Sequence, residues 1–153
     1  MVIRFAIWLD TMAITAMWLK MHQEVTKRKA LLEENSNDKN LFVQVLSRVE
    51  DPNWTVLIAE KEGEVAGFVM GKVYWPPYNK CHIIGACEAL YVYPEHRDNI
   101  IYKQLVYNLK EEVEKKGATE FELTCPYDKR FLDFYDSLGY EPIHVTMRQK
   151  EAI

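Results

Sequence analysis

Cysteine is scarce in this chain. Cys81, Cys87 and Cys125 are the only three in 153 residues, and no two stand in a Cys-x-x-Cys spacing. An odd count without paired spacing argues against a disulfide framework and for a reducing compartment. Cys81-His82 with Cys87 fits no zinc-ligand pattern, so these thiols read as small hydrophobes and no metal is expected. Positive charge is also short: 19 Lys and Arg against 23 Asp and Glu leave a net −4. That balance gives no electrostatic reason to expect nucleic acid as a partner. The one basic run, Lys27-Arg28-Lys29, is followed by Glu33 and Glu34 and reads as a solvated helix end. Long apolar runs are missing too. Met1 to Leu19 is apolar, but Arg4 and Asp10 interrupt it well short of the ~20 residues a membrane span needs. The Asp also spoils a signal-peptide reading, so a cytoplasmic protein without a membrane partner is expected. There is no internal repeat, linker or low-complexity stretch. No Ser/His/Asp or Cys/His set for nucleophilic catalysis stands out, and Cys125 before Pro126 has no activating base.

What is present fits one globular domain over residues 1–153, with 48% apolar and 27% charged residues. Its centre is residues 88–113. Ala86 to Tyr93 is an apolar, aromatic stretch closed by Pro94, which reads as a strand. Asp98 or Asn99 stands where a helix cap belongs. Ile101, Leu105, Leu109 and Val113 then recur at four-residue spacing, with acidic and basic residues opposite and Gly117 as the stop. A strand that turns through a basic residue into a helix start makes an anion site, because free N–H groups and the helix dipole converge there.

The rest of the chain supports a mixed α/β order. Val2 to Ile7 reads as a first strand. Ile14, Met17, Trp18, Met21 and Val25 mark one helix face after a cap at Asp10 or Thr11. A polar turn follows over 33–40, and Leu41, Phe42, Val45, Leu46 and Val49 define a second helix ended by Asp51-Pro52. Trp54 to Glu60 and Glu64 to Val73 are strands joined at Lys61-Glu62-Gly63. Tyr74, Trp75 and Tyr78, stiffened by Pro76 and Pro77, form an aromatic loop that serves either recognition or as a cover for the sheet end. Thr119 to Thr124 reads as a strand with Phe121 and Leu123 inward. Asp128 caps a short helix with Phe131, Phe134, Tyr135 and Leu138 on one face, and Ile143 to Met147 reads as a last strand. The strands joined through the central helix should run parallel, with a ligand crevice where their carboxyl ends part.

Val92-Tyr93-Pro94-Glu95-His96-Arg97 and the helix after it resemble motif A of the GNAT acetyltransferase superfamily. The hairpin from Trp54 to Phe68 is similar to that family's second and third strands. Phe134-Tyr135-Asp136-Ser137-Leu138-Gly139-Tyr140 resembles its Phe-Tyr-x-x-x-Gly-Phe block. The resemblance implies the acyl-CoA N-acyltransferase fold: a mixed sheet of six to seven strands, splayed between parallel central strands, with four helices. It implies acetyl-CoA as co-substrate without metal, and transfer to the primary amine of a small molecule or peptide. It leaves room for a homodimer. The pantetheine arm would lie on Leu90, Tyr91 and Val92. The pyrophosphate would lie on Arg97, Asp98, Asn99, Ile100, Ile101 and Tyr102, although the family's two loop glycines fall here on Ile100 and Tyr102.

The family's acid, which protonates the departing thiolate, maps to Tyr135, a phenol that holds its proton near neutral pH. Glu88, the one acidic residue in the apolar stretch, is the candidate base. Burial there would raise its pKa, while an edge or surface position is the alternative. His82 and His96 are weaker candidates, and His144 reads as structural. Tyr74, Trp75 and Tyr78 would line the acceptor side. Against the enzyme stands a second reading, a non-catalytic module of the same fold whose loop at Ile100 and Tyr102 has lost the cofactor.

Overall fold

The structure is a computed structural model that describes residues 1–25 and 38–151. The basic run at Lys27 and the turn expected from Glu33 lie outside the described residues, as does the side chain of Val25. In chain order the elements are β1 (Val2–Phe5), α1 (Thr11–Val25), α2 (Asp38–Glu50), β2 (Trp54–Lys61), β3 (Glu64–Tyr74), β4 (Ile84–Val92), α3 (Asn99–Lys115), β5 (Glu120–Leu123) and α4 (Lys129–Ser137). The strands form one sheet in sequence order. The first three pairings are antiparallel, and β4 with β5 is parallel through the α3 crossover.

Local chemistry accounts for most of these boundaries. The two charges that break the N-terminal apolar run bind each other, with Arg4 Nη1 at 2.8 Å from Asp10 Oδ2. The second nitrogen of the same guanidinium reaches Glu60 on β2, which ties the edge strand β1 down. Between β2 and β3 the chain reverses through Glu62 (φ 54°) and Gly63 (φ 81°). Two successive positive φ angles make the tight turn that matches strand twist. Asp98 caps α3 by accepting from the Ile101 N–H at 2.7 Å, and Asp128 caps α4 through the Arg130 N–H. Gly117 and Gly139, both at positive φ, follow the two helix ends.

The sheet has a core on each face. On one face Ile101, Leu105, Leu109 and Val113 of α3 lie buried against Leu57, Val69, Val73, Cys87 and Val92. On the other Ile14, Met17 and Trp18 of α1 and Val45 of α2 cover Val56, Ile58, Phe68, Met70, Ala89 and Tyr91. The four-residue repeat in α3 and the 3.6-residue face of α1 thus do what their spacing predicts.

The expected last strand is a correction. Residues 143–147 form no strand, and the sheet has five strands among the described residues instead of six or seven. Ile143, Val145 and Met147 keep their alternation but stand exposed. Alternation says which side an extended segment would bury; it does not supply a partner edge. β5, the neighbour available, is only four residues long. Of the polar turn expected over 33–40, Asp38, Lys39 and Asn40 belong instead to α2.

One contact tests how tightly α3 sits on the sheet. A Cβ on Gly85 would lie 2.4 Å from Val113 Cγ2 and 2.9 Å from Val113 Cβ. Gly85→Ala should therefore destabilise by about 1–3 kcal/mol in urea unfolding, since a filled core resists added methyls. In the Val113→Ala background, which removes the 2.4 Å contact and keeps the 2.9 Å one, the same change should cost less, the non-additivity expected of residues in contact. Equal costs in both backgrounds would show that α3 shifts freely.

Candidate active site

The parallel pairing of β4 with β5 runs from Ile84↔Glu120 only to Cys87↔Leu123. One more hydrogen bond, Thr124 N–H to Cys87 C=O at 3.4 Å, closes it. Cys125-Pro126 then ends β5, while β4 continues from Glu88 to Val92. At the parting point the register on the other side of β4 slips: Met70 faces Ala89, and Gly71 faces Cys87. Glu88 is the extra residue of a β-bulge, which bends the strand and re-aims side chains. The bulge changes the phase of the strand. Cys87, Leu90 and Val92 pack on the α3 side, whereas Ala89 and Tyr91 pack on the α1/α2 side.

Beyond the bulge one edge of β4 is open. The Tyr93 N–H bonds Ala66 C=O on β3. Alternation along the strand then turns the main chain of Leu90 and Val92 toward the side that β5 has left. The crevice leads to the first turn of α3. No residue from Arg97 to Tyr102 has positive φ, so the loop that carries Ile100 and Tyr102 in place of glycines is unstrained. The Ile100 side chain stands in solvent. Tyr102 packs half-buried against the α3-side core. Asp98 Oδ1 takes the Ile101 N–H. The N–H groups of Asn99 and Ile100 find no acceptor among the described residues.

Arg97 points back along the strand. Its Nε donates to Val92 C=O at 2.9 Å, and its Nη2 lies 2.6 Å from Glu24 Oε2 in the last turn of α1. Glu24 also accepts from the Tyr91 hydroxyl at 3.0 Å. A diphosphate at the start of α3 therefore meets an Arg97 already paired with Glu24.

Tyr135 of α4 is buried, with its ring edge-on to Phe134 at 5.2 Å and to Tyr140 at 5.9 Å. Burial first, then the neighbouring Cys87, Cys125, Tyr102 and Tyr140, pushes its phenol well above the usual range. Burial likewise pushes the Cys87 thiol up to about 12, with Glu88 adding to it. Both groups stay protonated near neutral pH, beside the point where β4 and β5 part.

The α1/α2 side of the same region is charged. Glu88 is not buried: its side chain is 38% exposed and lies 3.4 Å from Lys72 Nζ. Of the two positions expected for Glu88, buried or at the surface, the structure has the second, on an open face with a cation beside it. The Tyr74 hydroxyl donates to Glu122 Oε1 at 2.6 Å. Tyr74 thus reaches from β3 to β5 across the paired part of β4, while Trp75 and Tyr78 are exposed in the loop beyond it. Arg48 of α2 lies against the rings of Trp18 and Trp54. Glu24, Arg48, Lys72 and Glu122 carried no local signal, since each meets its partners across long stretches of chain. His82 is taken up by Glu120 and Thr119. Among the described residues, no group of three or more His, Cys, Asp or Glu could hold a metal ion. No described helix is long and apolar enough to cross a membrane.

The model of the acetyltransferase (GNAT) family matches residues 15–140. No curated protein matches the chain. Solved structures similar to it include a "possible acetyltransferase" of Clostridium difficile 630, with TM-score 0.77, 17% identity, and 99% and 97% of the two chains covered. Another is a "predicted acetyltransferase with acetyl-CoA" from Clostridium acetobutylicum, with TM-score 0.78, 16% identity, and coverages of 97% and 95%. A third is a ribosomal-protein-alanine N-acetyltransferase from Brucella melitensis biovar Abortus 2308, with TM-score 0.71, 16% identity, and coverages of 99% and 100%. At these identities the likeness is one of fold.

The tyrosines around the crevice give a pH test. Burial, helped by Glu122 at Tyr74 and Glu24 at Tyr91, pushes both phenols up to about 12 from an ordinary 10.0. Tyr135 is raised further. Folded protein then keeps protons that the unfolded chain gives up. The stabilisation is complete below pH 10 and is lost as pH rises from about 10 toward 12. Urea unfolding from pH 8.5 to 11.5 should show that decline, and Tyr135→Phe should make it shallower. An unchanged alkaline slope in Tyr135→Phe would place its ring in contact with water.

Proposed function

We propose that this chain, which belongs to the acetyltransferase (GNAT) family, transfers an acetyl group from acetyl-CoA to a primary amine by direct attack. The observation that carries this reading is the open edge of β4, which runs from the Cys87–Leu123 rung to uncapped N–H groups of α3. An extended amide-bearing arm ending in a diphosphate needs that sequence of main-chain partners followed by helix donors. Leu90 and Val92 would pair with the pantetheine amides, with Tyr91 packed behind. Asn99 and Ile100 would donate to the diphosphate, within a turn completed by Asp98, Ile101 and Tyr102, and Arg97 would add charge once released from Glu24.

The two faces of the crevice suit the two protons of the reaction. A neutral amine attacks the thioester carbonyl carbon, the new C–N bond forms, and the C–S bond breaks. Tyr135, kept protonated by burial, gives its proton to the departing thiolate. Glu88, on the solvated face beside Lys72, takes the proton of the incoming amine, directly or through water. The raised Cys87 thiol offers almost no thiolate near neutral pH, which supports direct transfer over an acyl-cysteine route. Tyr74, with Trp75 and Tyr78 beyond it, would line the acceptor side. The unpaired cysteines suit a cytoplasmic setting, with a small-molecule or peptide acceptor, a homodimer compatible, and no nucleic acid or membrane.

The Arg97–Glu24 ion pair favours the rival reading, a fold-preserving module that has lost the co-substrate. Calorimetric titration with acetyl-CoA separates them. Micromolar binding is expected; absence of heat and of a thermal shift at millimolar acetyl-CoA would establish the rival. Tyr135→Phe should lower turnover about 100-fold or more while leaving acetyl-CoA affinity nearly intact, the signature of a lost general acid. Undiminished turnover would remove Tyr135 from the chemistry.

A further inference from the structure

Arg48 is the cation on the acceptor face whose hydrogen-bonding capacity is left over. Its guanidinium carbon lies 4.2 Å from the Trp54 ring centroid and 4.7 Å from that of Trp18. Its Nη1 donates to Met70 Sδ at 3.4 Å, a weak acceptor. Among the described residues no carboxylate comes within ion-pair distance of it. Burial pulls its pKa down, and the more distant charge of Glu88 offsets this in part. Lys72, the other cation here, is engaged with Glu88 at 3.4 Å and lies 5.4 Å from the same Trp54 ring. A half-buried guanidinium fixed by two indoles has lost rotamer freedom already, so its free N–H fork is pre-organised for a bidentate acceptor.

We infer that the acceptor carries a carboxylate as well as its amine. Its amine meets Glu88 and its carboxylate is gripped by Arg48, as in a free amino acid. The inference rests on the transferase reading and adds the substrate class to it. Lys72, paired with Glu88 and sharing the Trp54 ring with Arg48, links the two ends of that arrangement. The excess of negative charge in the chain as a whole points to cationic acceptors. The local arrangement overrides it, because screened surface charges beyond about 10 Å count little against a partly buried cation.

The test compares amines that differ only in the carboxylate: phenylalanine with phenylalaninamide, and methionine with methioninamide, each with acetyl-CoA and free thiol as readout. The amide's amine is the less basic and is more often neutral, so its intrinsic reactivity opposes the expected result. The acids should exceed the amides in kcat/KM by about 10- to 100-fold, the range of a charge-assisted bidentate contact. Arg48→Gln should bring that ratio close to one and leave the acetyl-CoA Kd unchanged. Arg48→Lys, which keeps the charge against the indoles and loses the fork, should fall between them. The ratio is insensitive to the fraction of protein folded. Equal use of acid and amide, a ratio that survives Arg48→Gln, or acetyl-CoA binding with no acid acetylated would each overturn the inference. Failure of acetyl-CoA to bind would strike the transferase reading instead. Indole emission then decides the carboxylate site alone: a change on adding phenylalanine that Arg48→Gln abolishes sustains it, and no change ends it.

Discussion

The parting of β4 from β5 after Cys87 and Leu123 is the constraint from which the site follows. Two local causes act at the same level. Pro126, just past the end of β5, has no N–H to offer a ladder, and Glu88, inserted on β4, turns that strand's pleat. On the open side Arg97 Nε already donates to Val92 C=O, and the remaining main-chain groups of Leu90 and Val92 would cost about 1–3 kcal/mol each if buried without partners. A gap of this kind is therefore stable only when water or a polar extended ligand occupies it. α4 closes one end with the Tyr135 ring, and α3 closes the other with its first turn.

Glycine is common where a loop must accept an anion closely, because it allows positive φ and leaves no Cβ in the way. This chain reaches the start of α3 through ordinary backbone angles and an Asp98 cap. The arrangement removes one N–H from anion binding and places a carboxylate near the positive end of the helix. Arg97 is likewise answered by Glu24. Magnitudes decide whether this closes the site. A solvent-exposed ion pair contributes about 0.2–1 kcal/mol, whereas a hydrogen bond to a charged group contributes roughly 1.5–3 kcal/mol. A diphosphate that engages Arg97, Asn99 and Ile100 together outweighs one exposed carboxylate.

Much of the fold was legible because its determinants are local. The α3 stripe from Ile101 to Val113, the Asp98 and Asp128 caps, the Glu62-Gly63 turn and the parallel β4–β5 pair all follow from spacing and turn chemistry. Tyr135 and Glu88 were picked out as residues, and the structure brings both to the parting strands. The bulge was legible only in hindsight of its phase: Cys87 shares a face with Leu90 and Val92, an odd number of residues apart, which strict alternation forbids. The sequence left Glu88 either buried or at an edge, and the structure has it exposed beside Lys72. The alternation of Ile143, Val145 and Met147 was read as a strand because the pattern is blind to whether a neighbouring edge exists. Glu24 and Arg48 escaped notice because Arg97, Tyr91, Trp18 and Trp54 reach them from elsewhere in the chain.

The two sides of the crevice differ in the one property that proton transfer requires. On the α3/α4 side, burial keeps a phenol and a thiol neutral well past their ordinary pKa values. A group that must give up a proton to a developing thiolate gains from being dry, since nothing competes for the proton beforehand. On the α1/α2 side, Glu88 is solvent-exposed and flanked by Lys72, within reach of an incoming amine or of a water that carries its proton. Across the bulge Cys87 and Leu90 fall on the α3 side, while Ala89 falls on the α1/α2 side, where Glu88 meets Lys72. The buried phenol of Tyr135 and the exposed carboxylate of Glu88 thus stand on opposite sides of the level at which β4 bulges and parts from β5, which is the division a thioester lying between them would need.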